Sequence, residues 1–371
     1  FDPFDTMMKL ILLLCAAGVA SATTDNLCMP DCSSGTCVFD FNVRLAAGQL
    51  GYFEVAGCEG VNPTLGIEIG PTHVFKQTQY ENFFHPLGFA YYADGAHDGV
   101  DELEPGIPPP GSGSECGEGM TCPAPMYLIN GEYLGTYSND PSVLPPTIGE
   151  DNFGLDDYEP LFFYPFGQWL EQGNFSVSLR FDQVYDKDIF YFCHIHQFMT
   201  GRIKLLDNGV PVQPDADLPE IPYEYDQPSA YDEKCGSLGL DDFRLPNAQC
   251  PEKFVCGHPD ESTPLGQFAD CIESQNCHMF AGMTTGVSAQ SEMALFIHQM
   301  IPHHENAINM AKALLESGDL DDCGTFDEEN PKCAMYDIAL SIVNSQNYQI
   351  QLMRGLLESK GYPQTDDCVV P

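Results

Sequence analysis

The chain has 371 residues, of which 55 are acidic and 14 are basic, and its formal net charge at pH 7 is −41. This balance excludes a nucleic-acid-binding protein, because contacts with phosphate groups require clustered cations. Hydrophobic residues make up 43% and aromatic residues 11% of the chain, so it can bury apolar cores and is not a disordered acidic tail. Its 16 cysteines are too many for a reduced cytosolic protein unless they bind metal.

The segment 7–22 near the amino end has the pattern of a secretory signal peptide. Lys9 supplies the positive charge, an apolar stretch follows, and small residues form a cleavage site near Ala22. The apolar stretch is too short to span a bilayer, and no other run in the sequence is long enough for a transmembrane helix. We therefore expect an exported protein, secreted or delivered to a lumen, with no integral membrane segment.

The cysteine count points to one free thiol and two groups of disulfides. Once the cysteine of the signal segment is removed, an odd number remains, and Cys193 lies outside the cysteine-rich clusters in a predicted strand. Six of the other cysteines precede Cys193 and eight follow it, enough for seven disulfides in two separately crosslinked domains. Parity predicts the number of bonds and leaves their pairing open.

Short apolar and alternating runs between residues 38 and 207 predict a β domain. Gly, Pro and Asn separate these runs, as in a sandwich or barrel of short strands. A stretch at 98–125 that is rich in Gly, Pro and acidic residues predicts a surface insertion in this domain. The predicted order along the chain is a Cys-rich amino-terminal segment (23–37), the β domain (38–207), an acidic Pro-rich linker (208–234), a Cys-rich connector (235–285) and a helical domain (286–371).

The β domain ends with a candidate metal loop. Residues 189–206 read IFYFCHIHQFMTGRIKLL and place Cys193, His196 and Met199 in a short loop between two predicted strands. A thiolate, an imidazole and a thioether belong to the ligand set of a type 1 copper site, which also needs a second imidazole. His85, in the aromatic sequence NFFHPLGFAYY, is the preferred source of that second imidazole.

Three other histidines stay open as alternatives to this choice. His73 and His97 are rivals of His85 for the upstream ligand. His194 lies directly beside Cys193, so it could ligate in place of the predicted loop histidine or donate to a second metal.

The loop resembles the carboxyl-terminal copper loop of the cupredoxins, with the Cys-x2-His-x2-Met spacing of amicyanin. This resemblance implies a cupredoxin-like Greek-key β-sandwich over residues 38–207. It also implies that Cys193, His196 and Met199 bind copper.

A helical pattern begins after the Cys-rich connector. Apolar residues recur at helical spacing through SAQSEMALFIHQMIPHHENAINMAKALLES, with Ser288 as the predicted N-cap and Pro302 as a predicted kink. A second helix is predicted from about Ala334 to Lys360. Its apolar face carries one polar side chain, Gln346, for which a histidine of the first helix would be a hydrogen-bond partner.

The string FIHQMIPHHENAINMAKALL, together with the spacing of the second helix, resembles the DUF305 family over most of residues 288–360. The resemblance implies a ferritin-like helical bundle, and some members of the family are linked to periplasmic copper binding. Met293 and Gln349 stand where the family commonly has acidic residues, which favours copper over a hard metal or a di-iron centre. The family motif falls on Met300, His303, His304 and Met310 in the first helix and on Gln346 and Met353 in the second.

The sequence therefore predicts a multidomain β plus α protein that binds copper outside the cell. The β domain would hold one type 1-like copper for electron transfer or copper capture, and the helical domain would sequester copper or hand it over. The implied partners are copper ions and a redox protein or copper transporter. Two alternatives are a secreted acidic structural or matrix protein with a vestigial copper loop and an extracellular oxidoreductase. No catalytic residue is assigned, and the predicted metal ligands are His85, Cys193, His196, Met199, Met300, His303, His304, Met310 and Met353.

Overall fold

The structure is a computed structural model, and it does not describe the whole chain. The predicted signal peptide and most of the predicted insertion lie outside the described residues. The residues described are 27–33, 36–46, 50–98, 102–107, 122–137, 152–182, 188–212, 221, 223, 225, 228–250, 253–257, 260–323, 326–327 and 329–368.

The described residues between 27 and 212, called here the β region, form two sheets. The described strands are β1 (Cys37–Arg44), β2 (Tyr52–Val55), β3 (Leu65–Glu68), β4 (Thr72–Gln77), β5 (Leu87–Ala90), β6 (Met126–Ile129), β7 (Glu132–Tyr133), β8 (Phe175–Arg180), β9 (Ile189–Cys193), β10 (Thr200–Asp207) and β11 (Val210–Pro211). One sheet has the strand order β2-β1-β4-β8-β6-β7, and the other has the order β11-β10-β9-β5, with β3 also paired to β10.

Aromatic side chains fill the space between these sheets. In β1, Phe39 and Phe41 are buried while the intervening Asp40 is exposed, because successive residues of a strand face opposite sides. Phe41 reaches across to Tyr191 of β9, with ring centroids 5.2 Å apart. The predicted combination of β sheets followed by helices is confirmed. The Greek-key cupredoxin arrangement stays a prediction.

The described residues between 228 and 368, called here the helical region, contain the longer of the described helices. The N-cap predicted at Ser288 is wrong, since Ser291 caps the helix α5 (Glu292–Glu316) by accepting a hydrogen bond from the amide of Ala294. Pro302 lies inside α5, as predicted. The α-helices among the described residues are α1 (Leu155–Tyr158), α2 (Phe166–Gln172), α3 (Ala230–Cys235), α4 (Pro264–Gly282), α5 (Glu292–Glu316) and α6 (Pro331–Ser359).

Each disulfide whose two cysteines are both described joins residues of the same region. Cys193 is a free, buried thiol, as the cysteine count predicted. Cys256 and Cys368 are also free and both are exposed, so the prediction of seven disulfides is wrong. An even number of cysteines allows all of them to pair, but it does not ensure that Cys256 and Cys368 lie close enough in the fold to form a bond. The pairs among the described residues are Cys28–Cys58, Cys32–Cys37, Cys235–Cys271, Cys250–Cys277 and Cys323–Cys333, and Cys122 is bonded as well.

The two regions share one apolar core. A single cluster of buried hydrophobic residues includes both the inner faces of the sheets and the packed faces of α5 and α6. Phe166 of α2 contacts the ring of Phe326 at 5.0 Å between centroids, and the hydroxyl of Tyr336 in α6 donates to Glu81 at 3.1 Å. The helical region therefore packs directly against the β region.

Candidate metal centre

Three side chains converge where β5 and β9 meet α6. Nδ1 of His85 lies 3.6 Å from Sγ of Cys193, Nδ1 of His196 lies 3.7 Å from the same sulfur, and the two nitrogens are 3.2 Å apart. All three residues are buried. Among the His, Cys, Asp and Glu side chains of the described residues, this is the group of three whose ligand atoms lie close enough to share a metal ion. It is called here the donor cluster.

A hydrogen-bond network fixes the main chain around His85. Gln77, at the end of β4, donates from Nε2 to the carbonyl oxygen of His85 at 2.6 Å and accepts at Oε1 from the amide of Leu87 at 3.1 Å. Because this single amide side chain bonds the main chain on both sides of residue 86, His85 is held just ahead of β5. The aromatic segment singled out in the sequence thus leads into a strand of the second sheet.

The loop after β9 folds back onto its own cysteine. The amide of Cys193 donates to the carbonyl oxygen of Met199 at 3.1 Å, and the amide of His196 donates to Sγ of Cys193 at 3.3 Å. Phe198 takes a positive φ of 62°, which turns the chain into β10. Met199 is fully buried at the start of this return, so the three predicted loop ligands are all in the protein interior.

Asn344 of α6 contacts both histidines of the donor cluster. Its Oδ1 lies 3.0 Å from Nε2 of His85, and its main-chain oxygen lies 3.0 Å from Nε2 of His196. Its Nδ2 donates to the carbonyl oxygen of Phe83 at 3.0 Å, which sets the orientation of the amide, since a carbonyl can only accept. Both Nε2 atoms must therefore donate, and the Nδ1 atoms of the neutral rings face the sulfur as lone pairs.

Burial keeps all three donors neutral in the absence of a cation. It lowers the pKa of His196 to about 4 and holds the pKa of His85 well below its usual value of 6.5, where the neighbouring His196 acts in the same direction. Burial also raises the pKa of the Cys193 thiol to about 12. Two lone pairs and a thiol thus face one another in a water-poor interior.

The alternative histidines lie elsewhere. His73 is buried in β4, where its ring stacks on Phe39 with centroids 6.3 Å apart. His97 donates from Nε2 to the carbonyl oxygen of Cys193 at 2.8 Å, so it supports the main chain of the loop. Of the three candidates for the upstream ligand, His85 is the one whose ring nitrogen joins Cys193 and His196.

His194 forms an ion cluster with two carboxylates. Its Nε2 lies 2.9 Å from Glu102 and its Nδ1 lies 3.3 Å from Glu159. Burial alone would lower the pKa of His194, but the hydrogen bonds and charges of the two carboxylates outweigh it and raise that pKa to about 10. Because its two nitrogens point to different carboxylates, His194 is a charged bridge beside a cleft of about 670 Å³ that His97, Glu159 and α6 also line.

The predicted ligands of the helical region are spread along α5 and α6. His303 and Met310 are exposed, while Met300, His304 and Met353 are partly buried. The rings of His303 and His304 lie 6.0 Å apart between centroids. The hydrogen bond predicted between the helices is not formed, because Nδ1 of His304 and Oε1 of Gln346 are both buried without a partner.

The sequence patterns did not single out Asn344, although it contacts both histidines of the donor cluster. It is a buried asparagine on the packed face of α6, at 1% exposure. A buried polar residue on an apolar helix face needs a partner, and this signal was available in the sequence. Nothing in the sequence indicated that its partners were two histidines of the other region.

Residues 275–357 match the family described as "Domain of unknown function (DUF305)". The match starts within α4, includes all of α5 and ends in α6, so the predicted DUF305 domain is confirmed and begins earlier than expected. No curated protein and no solved structure matches the chain significantly. Among the described residues, no helix has the length and apolar character that crossing a membrane requires.

Proposed function

We propose that this protein binds one copper ion at the donor cluster and acts in one-electron transfer or copper capture outside the cell. The observation that carries the proposal is the convergence of the ligand atoms of His85, Cys193 and His196 in a buried site. Met199, buried at the end of the same loop, is proposed as the weak axial ligand. The disulfides of both regions support an oxidising compartment.

The spacing of the donors fits a metal ion. Metal–nitrogen bonds of about 2.0 Å and metal–sulfur bonds of about 2.3 Å in a trigonal or tetrahedral site separate two nitrogens by about 3.4 Å and nitrogen from sulfur by about 3.6 Å. The corresponding distances in the donor cluster are 3.2 Å, 3.6 Å and 3.7 Å. No backbone movement is needed to bring these atoms to ligand positions.

The electronic arrangement also favours a cation. Both Nδ1 atoms present lone pairs to each other, because both Nε2 atoms donate to oxygens of Asn344. Two lone pairs 3.2 Å apart repel each other in a medium with few water molecules to separate them. A cation held by His85, Cys193 and His196 would relieve this repulsion and would lower the pKa of the thiol, so that Cys193 would bind as a thiolate.

The chemistry of the donor set selects copper over a hard metal. Thiolate and imidazole are soft to intermediate ligands, and two histidines, one cysteine and a distant thioether are typical of electron-transfer copper sites. When bound there, copper supplies a single-electron couple. The protein supplies rigid imidazoles, a buried sulfur and exclusion of water.

The helical region is proposed to sequester copper or hand it over. The predicted ligands on α5 and α6 are partly or fully accessible, in contrast to the donor cluster. Accessible thioethers and imidazoles suit an ion that must be exchanged, because exchange requires an incoming ligand to reach the metal.

The test is a copper titration of the chain from residue 23, folded under oxidising conditions. We expect one equivalent of Cu(II) to give an intense thiolate-to-copper absorption band and a narrow EPR hyperfine splitting. Both signals should be absent in Cys193→Ser. An ordinary Cu(II) spectrum that the substitution leaves unchanged would remove the copper proposal, and equal or tighter binding of Zn(II) in a copper competition would make this a zinc site instead.

A further inference from the structure

The donor cluster is completed from outside the β region. His85 and His196 lie in loops of the β region, but both of their outer nitrogens bond to the same residue of α6. That residue, Asn344, lies within the segment that matches DUF305. Few positions in a helix can serve two rings at once, and Asn344 does so by using its side chain for one ring and its main chain for the other.

We propose that Asn344 is the positioning residue of the metal site, so that the site is assembled only when the helical region is packed against the β region. This inference rests on the proposed function for its metal, but the positioning itself concerns the protein without metal. Metal-binding histidines generally donate their second ring nitrogen to a carbonyl or carboxylate that fixes the tautomer and the ring orientation. Here one asparagine supplies that partner to both rings.

The two contacts differ in how they respond to substitution. The bond to His85 uses the side chain of Asn344, and the bond to His196 uses its carbonyl oxygen, which every amino acid retains. A substitution at position 344 therefore removes the partner of one histidine and leaves the partner of the other. His196 serves as an internal control within the same protein.

Other contacts hold α6 at this position. The amide of Gln197, next to His196, donates to Oε1 of Gln351 at 3.3 Å. This hydrogen bond attaches the loop after β9 to α6. Farther along the helix, Tyr336 donates to Glu81. Because the ligands are oriented only with α6 in place, metal binding and the packing of the helical region stabilise each other, as thermodynamic linkage requires.

The experiment compares the full chain with Asn344→Leu, Asn344→Asp and Asn347→Leu. Asn344→Leu removes the side-chain acceptor, and Asn344→Asp restores an acceptor oxygen while losing the donor to Phe83. Asn347 is a matched control, since it is also a buried asparagine of α6 and makes no described hydrogen bond to the donor cluster.

The first measurement is ¹⁵N NMR of the imidazoles in the metal-free proteins, which reports the tautomer of each ring. We expect both rings of the wild type to carry the proton on Nε2. In Asn344→Leu, His85 should become a mixture of tautomers while His196 is unchanged, and Asn344→Asp should restore His85. An unchanged His85 in Asn344→Leu, or equal changes in Asn347→Leu, would overturn the inference.

The second measurement is copper affinity by competition with a chelator. Loss of an orienting partner typically costs about 10- to 100-fold in metal affinity, and we expect a loss of this size for Asn344→Leu and little change for Asn347→Leu. If the wild type binds no copper, the proposed function fails, while the NMR result still decides the role of Asn344. If copper binds and Asn344→Leu keeps full affinity, the inference fails alone.

Discussion

The two candidate metal regions of this chain place the same kinds of ligand in opposite settings. In the β region, His85, Cys193 and His196 come from two loops at the ends of strands and meet in the interior. In the helical region, His303 and Met310 lie on one helix and face solvent. Strand ends from distant parts of the chain can aim several side chains at one point, whereas neighbours along a single helix spread outward.

This difference indicates which motif depends on the rest of the fold. The donor cluster has buried neutral rings, a protonated thiol and fixed tautomers, all of which require the surrounding sheet and α6. The predicted ligands of the helical region are exposed or partly exposed. Yet the helical region has a family match, and the β region has none. A recognised sequence motif and a preassembled site are therefore separate properties.

The largest expected effect comes from removing one histidine from each region. His85→Gln should weaken Cu(II) binding by more than about 100-fold and abolish the thiolate absorption, since even the loss of an orienting partner costs about 10- to 100-fold. His303→Gln should leave both the affinity and the spectrum of the donor cluster unchanged. The measurement is chelator competition followed by visible spectroscopy, and equal losses in the two variants would erase the contrast between the regions.

A smaller effect is expected in the stability of the metal-free protein against pH. His196 stays neutral in the fold down to its pKa of about 4, while the unfolded chain takes up this proton near pH 6.5, so acidification favours unfolding. The contribution of His196 is present above pH 6.5 and is lost, by about 3 kcal/mol, as the pH falls through about 4. Burial shifts the pKa of His85 in the same direction.

Urea unfolding at pH 7, 5.5 and 4.5 measures this dependence. The wild type should lose more stability on acidification than His196→Gln, which has no proton to take up at that position. His304→Gln should change the dependence of stability on pH less. Burial and the neighbouring His303 also lower the pKa of His304, but this ring is partly exposed, so solvent screens the effect. If the stability of His196→Gln depends on pH as steeply as that of the wild type, the result contradicts the burial of His196.

The smallest effect concerns the contact between the regions. Tyr336→Phe removes the hydroxyl that donates to Glu81 and should lower the free energy of unfolding by about 1 kcal/mol. Tyr348→Phe is the matched control on α6, since its hydroxyl makes no hydrogen bond among the described residues. Chemical denaturation of both variants measures the loss of stability. Identical unfolding midpoints for the two variants would mean that the hydrogen bond from Tyr336 to Glu81 does not hold α6 in place.

Local chemistry allowed the sequence to predict the loop and the helices α5 and α6, whereas the 19-residue α4 lies in the predicted Cys-rich connector and was missed. Cysteine, histidine and methionine at fixed spacing between two apolar runs indicate a metal loop, and apolar residues at helical spacing indicate α5 and α6. His85 could be chosen only by its aromatic setting, because it lies 108 residues from Cys193. Helix starts were harder, as the misplaced cap at Ser288 shows, because several nearby side chains could serve as caps.

The contacts that Asn344 makes could not be predicted, because they depend on tertiary packing. It lies 148 residues from His196 and 259 from His85. The acidic Pro-rich segment between the regions indicated two independent domains. Helical periodicity places Asn344 on a packed face, but it does not tell which surface that face meets.

The apolar core shared by the β region and α6 limits how the chain can be divided or transplanted. A cut between the regions would leave each half with a large uncovered apolar surface, and such surfaces promote aggregation. It would also leave His85 and His196 without the residue that bonds both of their outer nitrogens. For recombination or protein engineering, the unit to be moved is therefore the pair of regions, even though each carries its own disulfides.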